Sequence, residues 1–365
     1  MSLALKSVTK KVGQETHLDQ ISLSFEMGSH NVILGRTLAG KTSLLRLMAG
    51  LDRPSSGRIL INGEDLTGQS VRRRSVAMVY QQFINYPSLT VFDNIAAPLK
   101  FSKADKTETD RRVRETAAML RIDNLLDRLP AELSGGQQQR TAIARALVKE
   151  AHLLLLDEPL VNLDYKLREE LRIELQEIFR QRKGIVVYTT TEPSEALMMG
   201  GNVVVLHEGR ILQEGVTAQV YRRPSSIKVA RVFSDPPINL SHGMADKDHA
   251  ILGGNIRIPL VNHLARLSPG AYQFGVHAHH LFLSPMSEHD MRINATVELS
   301  EISGSETFVH INTDEISWAV QEPGVHHRSC GSDISVYVHP RNFFVFDESG
   351  ALVAAPGDLK TASPE

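Results

Sequence analysis

The sequence predicts an α/β domain built on a largely parallel sheet, followed by a smaller all-β module. Three observations carry this. Short apolar strands alternate with helical stretches through the first half of the chain. A turn from strand to helix, Gly35-Arg36-Thr37-Leu38-Ala39-Gly40-Lys41-Thr42, fits the pattern G-x-x-x-x-G-K-[ST] of a phosphate loop. Beyond Ser234-Asp-Pro-Pro237 the composition changes to segments of period two joined by tight turns.

In chain order, Asn31-Val-Ile-Leu34 reads as a buried strand, and Lys41 to Leu51 as a helix with apolar Leu44, Leu45, Leu47, Met48 and Leu51. Arg140 to Glu150 reads as a second helix feeding the strand Leu153 to Leu156. Arg168 to Arg180 alternates acids and bases, as the solvated face of an amphipathic helix does. Ile185 to Tyr188 and Val203 to Leu206 are further strands. In the second module, Val297 to Ile302 and Thr307 to Ile311 flank Ser303-Gly-Ser305 as an antiparallel hairpin. The expected division is residues 1–234 for the first domain, with a helical part at about 86–150, then residues 235–355 for the β module and a flexible tail, 356–365.

Composition bounds the function. At 365 residues the chain has room for two cores, and 42% hydrophobic with 22% charged residues is an ordinary globular balance. A formal charge of −2 gives no reason to expect a nucleic-acid partner. A single cysteine, Cys330, cannot form an internal disulfide and suits a reducing compartment. No apolar run approaches the roughly 20 residues of a membrane helix, and the N-terminus has no signal-peptide core, so work at a membrane would need other chains to cross it. Eleven of the fifteen histidines follow residue 234. The adjacent pairs His279-His280 and His326-His327, placed in strands, would point to opposite faces, which favours surface histidines over a metal site.

The phosphate loop supplies backbone N–H groups and a helix N-terminus to an anion. Lys41 is placed to neutralise β- and γ-phosphate oxygens of ATP, and the Thr42 hydroxyl to ligate Mg²⁺; Ser43 follows on the same turn. Leu153-Leu-Leu-Leu156-Asp157-Glu158 puts two acids at the exit of a buried strand. In a phosphate-loop fold that is where an aspartate would hold the Mg²⁺ shell and a neighbouring glutamate would polarise the attacking water. Leu133-Ser134-Gly135-Gly136-Gln137 opens a helix whose glycines leave the N-terminal backbone bare, a second anion-binding end.

Taken together, these residues resemble the ATP-binding subunits of ABC transporters, in which Leu-Ser-Gly-Gly-Gln is the signature. The resemblance covers residues 1 to 350 and implies several roles. Ser134, Gly135, Gly136 and Gln137 would meet the γ-phosphate held by a second ATPase subunit, two chains sandwiching two nucleotides. Gln81, in Val79-Tyr-Gln81, would reach Mg²⁺ and water. Tyr86 to Ile95 would meet the coupling helix of transmembrane permease subunits, and Leu163-Asp164 ends the D-loop. The tail, through Val276-His-Ala-His-His280-Leu281, Val338-His-Pro-Arg341 and Phe346 to Gly350, resembles the OB-like (TOBE-type) module of carbohydrate-importer ATPases. The implied setting is the cytoplasmic face of a bacterial inner membrane, with two permease subunits and, indirectly, a solute-binding protein. Importers with two different ATPase chains in that class resemble the glycerol type, which suggests glycerol or a related polyol. The alternative is a nucleotide-binding regulator that closes without driving transport.

Four residues depart from the family pattern. Val12 stands where an aromatic ring stacks on adenine, a contact worth about 1–3 kcal/mol in nucleic-acid binding. Leu38 replaces a glycine, which matters if that position needs positive φ. Val161 stands where the D-loop has a serine. Thr191, four residues before Glu195, replaces the switch histidine that reaches the γ-phosphate. All four fall on the chain's own nucleotide site, while the signature is intact. The reading is therefore a weakened site on this chain, one that completes a competent site on a different partner.

Overall fold

The computed structural model describes residues 2–101, 105–161, 163–313 and 315–357. The chain divides into two units, Met1–Thr217 and Ala218–Glu365.

The first unit begins with strands β1 (Ser2–Val12), β2 (Glu15–Glu26) and β3 (His30–Leu34), then helix α1 (Lys41–Ala49), β4 (Ser56–Ile61), β5 (Glu64–Asp65) and β6 (Val76–Val79). A helical stretch follows: α2 (Val91–Ala96), α3 (Lys106–Met119) and α4 (Gly135–Leu147). Then β7 (Leu153–Asp157), α5 (Tyr165–Gln181), β8 (Ile185–Thr190), α6 (Pro193–Met199), β9 (Asn202–His207) and β10 (Arg210–Val216) complete it. One sheet, β2-β1-β4-β5, is antiparallel; the other has the order β10-β9-β3-β8-β7-β6 and is parallel except for its β10 edge. Strands β7 and β8 are buried along their whole length, which accounts for their unbroken apolar runs in place of alternation.

Helix ends follow local chemistry more closely than apolar periodicity did. Helix α1 stops at Ala49, short of Leu51, because Gly50 turns left-handed (φ 75°) and its N–H closes on Arg46 and Leu47 carbonyls. Helix α4 starts at Gly135, well before Arg140, because Ser134 caps it. Arg140 and Gln139 are buried in its core face: Arg140 pairs with Glu174 of α5 and donates to the Leu120 carbonyl at 3.0 Å. A buried charge that is fully paired is invisible to an apolar-periodicity argument.

The second unit is built of two antiparallel sheets. One runs in the order Ile256–Pro259, His249–Leu252, Asn239–Ala245, Gly270–Val276, Phe344–Phe346, Leu352–Ala354. The other runs Leu281–Phe282, Asp333–Val338, Met291–Ser303, Glu306–Asn312, Ser317–Pro323. Trp318, Phe274 and Phe343 fill the core, and the expected hairpin closes at the pair Ser303–Glu306.

Two expectations are corrected here. The division falls at 217/218 instead of 234/235, because helix α7 (Thr217–Arg222) leads into α8 (Ile227–Val232), and α8 is part of the β unit's own core. Ile227 and Ala230 pack with Ile238, Phe344, Phe346 and Ala355, and the Ile227 N–H bonds the Gly350 carbonyl at 2.9 Å. Helices α2, α3 and α4 follow one another between residues 91 and 147, and the expected tail lies from residue 358 on outside the described residues. Nor are the histidines all superficial. His279 and His280 lie on a one-turn helix, not a strand, with rings 4.3 Å apart, and His277 is buried, stacked on Tyr221 at 5.2 Å with Nδ1 3.2 Å from the Ser234 hydroxyl. Burial, with its two histidine neighbours adding to it, pushes the His277 imidazole down to about 3, so it packs as a neutral ring. Among the described residues no group of three or more His, Cys, Asp or Glu could hold a metal ion.

Candidate functional site

Sheet order assembles the site. Strand β3 lies beside β8 and β8 beside β7, all parallel, with Leu34 level with Thr190 and Thr189 level with Asp157. The phosphate loop and both acids therefore leave the sheet at neighbouring carboxyl ends, the place where α/β sheets bind ligands.

The loop from Gly35 to Gly40 is held by its backbone. Gly35 N–H bonds the Thr190 carbonyl at 3.2 Å, and Ala39 N–H bonds the Arg36 carbonyl at 3.1 Å. Gly40 has φ 103° and lies so close to β2 that a Cβ would stand 2.7 Å from the His17 carbonyl oxygen, so only glycine fits. Leu38 shows the cost of departing from glycine: it is 95% exposed and takes φ 67°. The loop forms as expected, but with a branched side chain in the left-handed region and no packing in return. Leu38→Gly is expected to relieve about 1 kcal/mol of strain, offset in part by the greater freedom of glycine in the unfolded chain. A shift in the urea midpoint of the first unit measures the difference.

Lys41 is 4% exposed, and its Nζ lies 2.7 Å from the Gly35 carbonyl, 3.0 Å from that of Arg36 and 3.1 Å from Glu158 Oε1. Its three N–H bonds are thus all engaged, and a phosphate oxygen entering the loop must take the place of one acceptor. Glu158 is the acceptor free to leave, since the other two are loop backbone. Asp157 is buried, and burial pushes its carboxyl up, against the opposing hydrogen bonds from the Thr42 and Thr189 hydroxyls. A buried carboxylate sharing a hydroxyl with the first turn of α1 is the hard-oxygen environment that suits Mg²⁺. Thr42 and Asp157 would hold that ion; Gln81, two residues beyond β6 at the neighbouring strand end, is exposed in the loop that follows.

Thr189 is a site residue that sequence reasoning missed. Its hydroxyl donates to Asp157 Oδ1 at 3.0 Å and accepts from the Glu158 N–H at 2.9 Å, so one side chain sets both acids. Glu158 itself takes φ 44°, a conformation such a pair of restraints can hold. The available signal was the run Thr189-Thr190-Thr191 at a buried strand end, where small hydroxyls have no reason to be unless they bond something. Thr190 donates to the buried Glu195 carboxylate, which also receives the Tyr188 hydroxyl at 2.6 Å.

Val12, at the end of β1, is half exposed and brings no ring to the mouth of the loop. An imidazole is there instead: His17 Nδ1 lies 3.2 Å from the Ser43 hydroxyl. Of the remaining loop positions, Arg36 and Thr37 are exposed and Ala39 is buried beneath them.

Across the unit, Ser134 caps α4 reciprocally. Its hydroxyl accepts from Gln137 N–H at 3.4 Å and its own N–H donates to Gln137 Oε1 at 3.0 Å, a complete capping box. A Cβ on Gly135 would meet nothing within 4 Å, so this helix end is open to a ligand; Gly136 packs against Leu167 of α5. Asp164 caps α5 through the Leu167 N–H at 2.9 Å, and Val161 is exposed on the loop before it. Thr191 lies just past β8. With Glu158, Val161, Arg168 and Glu192 it lines a cleft of about 10 Å³, the space of one water.

A phosphate loop, two acids at the end of β7 one strand removed, and a separate capped helix end in one unit define an ATP-binding cassette. The chain belongs to the ATP-binding subunits of ABC transporters: residues 18–161 match the ABC transporter family. It is 34% identical over 362 residues to the trehalose/maltose import ATP-binding protein MalK of Thermococcus litoralis, covering 94% of this chain and 97% of that one. It is 34% identical to the sn-glycerol-3-phosphate import ATP-binding protein UgpC of Escherichia coli (96% and 99% covered), and 35% to the Fe(3+) ions import ATP-binding protein FbpC of Brucella melitensis (95% and 98%). Among solved structures, a dimeric ATP-binding cassette in a post-hydrolysis state with ADP and Pi superposes with a TM-score of 0.53 at 30% identity, covering 59% of this chain and 98% of that one.

Proposed function

We propose that this chain is one of two different ATP-binding subunits that drive import of a carbohydrate or polyol, glycerol or a related compound, at the cytoplasmic face of a bacterial inner membrane. The observation that carries the pairing is an asymmetry. The nucleotide site on this chain has a left-handed leucine at position 38 and a short, uncharged side chain at Thr191, while the α4 end at Ser134 to Gly136 is fully capped and open. On this reading Lys41 neutralises the phosphates, Thr42, Gln81 and Asp157 hold Mg²⁺, Glu158 polarises water, and turnover is slow for want of a histidine at 191. Bound Mg²⁺ would neutralise charge on the β- and γ-phosphates. The α4 end completes the faster site on the partner.

Two permease subunits fit a surface the sequence pointed to. Tyr86 and Ile84 are exposed on the segment leading to α2, and fully buried Asn94 fixes that segment by bonding both N–H and C=O of Tyr86 and the Leu89 and Thr90 carbonyls. Arg145 covers the Tyr86 ring at 4.9 Å. An apolar knob on so rigid a base suits docking of a helix from a membrane partner. The solute class rests on the two relatives named for trehalose/maltose and sn-glycerol-3-phosphate import.

The test is hydrolysis and polyol uptake by reconstituted importer with and without a second ATPase chain. Full rates from this chain alone would overturn the pairing; uptake of an amino acid or peptide only would overturn the solute class. Thr191→His is expected to raise hydrolysis at this chain's own site about 10²-fold, the low end of a general acid–base contribution. It is read in a dimer whose partner site is inactivated.

A further inference from the structure

Two loops leave the sheet side by side at the site. One follows β7 and runs from Glu158 to Asp164 into α5; the other follows β8 and carries Thr191 and Glu192 into α6. A single side chain from the first turn of α5 spans them. Arg168 donates through one terminal nitrogen to Glu192 Oε1 at 2.7 Å and through the other to the Leu163 carbonyl at 3.4 Å. Its Nε is buried and has no partner, so the guanidinium is held by the two loops alone. The Glu192 end of the link is anchored in turn, since the Glu192 N–H bonds Thr190 Oγ1 at 3.0 Å and Thr190 bonds Glu195. Glu158, Glu192 and Glu195 line the one-water cleft as acids, and Arg168 is the cation among its lining residues.

We propose that Arg168 is a positioning residue that ties the Leu163–Asp164 loop to the Thr191–Glu192 loop, so that displacement of the first by a partner subunit is transmitted to the residue at the γ-phosphate. The link rests on the reading that Thr191 faces the nucleotide in a two-chain sandwich. Arginine suits such a link because its planar guanidinium fixes two acceptors at once, whereas an ammonium would meet them one at a time. With no histidine at 191, this tie is the charged connection between that loop and the D-loop among the described residues lining the cleft.

The test uses the assembled importer with the partner's own nucleotide site inactivated, so that turnover reports the site beside Thr191. Arg168→Gln and Glu192→Gln, which break the pair from opposite ends, are each expected to lower ATP turnover about tenfold, inside the 5–150-fold span of coupling between sites. ATP affinity of this chain should stay within twofold of the parent. The exchanged pair Arg168→Glu with Glu192→Arg should recover part of the loss, which a purely structural role would not produce. Unchanged turnover in both single variants, or no recovery in the exchanged pair, overturns the proposal. So does a fall in affinity and melting temperature in step with turnover. If Arg168→Gln fails to fold, Glu192→Gln and Arg168→Lys carry the same outcomes, with the lysine variant intermediate. Failure of the underlying reading is separate: there, Thr191→His leaves turnover unchanged whatever Arg168 does.

Discussion

Gly135→Asp is expected to remove about 10²–10³-fold of the ATP turnover of the assembled dimer, the loss that follows removal of one preorganised donor to a developing oxyanion. Gly135 follows the Ser134 cap, its backbone is exposed, and an added side chain meets nothing within 4 Å. Aspartate in the first turn favours a helix N-terminus, so the fold should be undisturbed or slightly stabilised. What changes is the sign of the charge offered to the phosphate across the interface, and facing like charges cost several kcal/mol. The variant therefore separates the two sites. ATP titration of this chain alone should give an unaltered Kd, while turnover in the mixed dimer collapses. Unaltered turnover would show that α4 takes no part in the partner's site.

Lys41→Ala should have the larger effect on this chain's own nucleotide. Lys41 is enclosed by Gly35, Arg36 and Glu158, with side-chain exposures of 3% for the lysine and 14% for Glu158. Truncating one member of a buried, hydrogen-bonded charge pair costs about 2–5 kcal/mol, or roughly 30- to several thousand-fold in Kd. Part of that cost is felt without nucleotide, because Glu158 and two carbonyls lose their donor. The chain should therefore melt lower as well as bind ATP more weakly. Lys41→Arg should not rescue binding, since the enclosed pocket has no room for a planar fork. Equilibrium binding of a fluorescent ATP analogue, beside a thermal melt, reads both effects; wild-type affinity in Lys41→Ala would remove the lysine from the phosphate site.

The phosphate loop, the strand acids and the signature helix were legible because each is a local pattern with a local purpose. Glycine at 40 is demanded by the positive φ of the turn itself, and the 2.7 Å approach to the His17 carbonyl of β2 only reinforces that local demand. The role of Thr189 was not legible, because it depends on which strand lies beside β7, and sheet order is set by long-range pairing. The burial of Arg140 was not legible for the same reason: its partner Glu174 lies on another helix, so the sequence shows two charges and not the pair. The seam at 217/218 was displaced by α8, whose apolar residues look like a continuation of the first unit until Phe344 and Phe346 are known to cover them. The burial of His277 was not legible either, because a neutral, stacked imidazole leaves no pattern in sequence.

The location of that seam has a consequence for how such chains are cut and recombined. A transplant of the β unit begun at Asp235 would leave α8 behind and strip Ile227 and Ala230 from Phe344 and Phe346, creating a sticky, aggregation-prone face on the transplant. A transplant begun at Ala218 carries its own covering helix and its own Tyr221–His277 stack. The chain is thus modular at a joint one helix pair earlier than its composition advertises, and that joint is where chimaeras between importers of different solutes should be spliced.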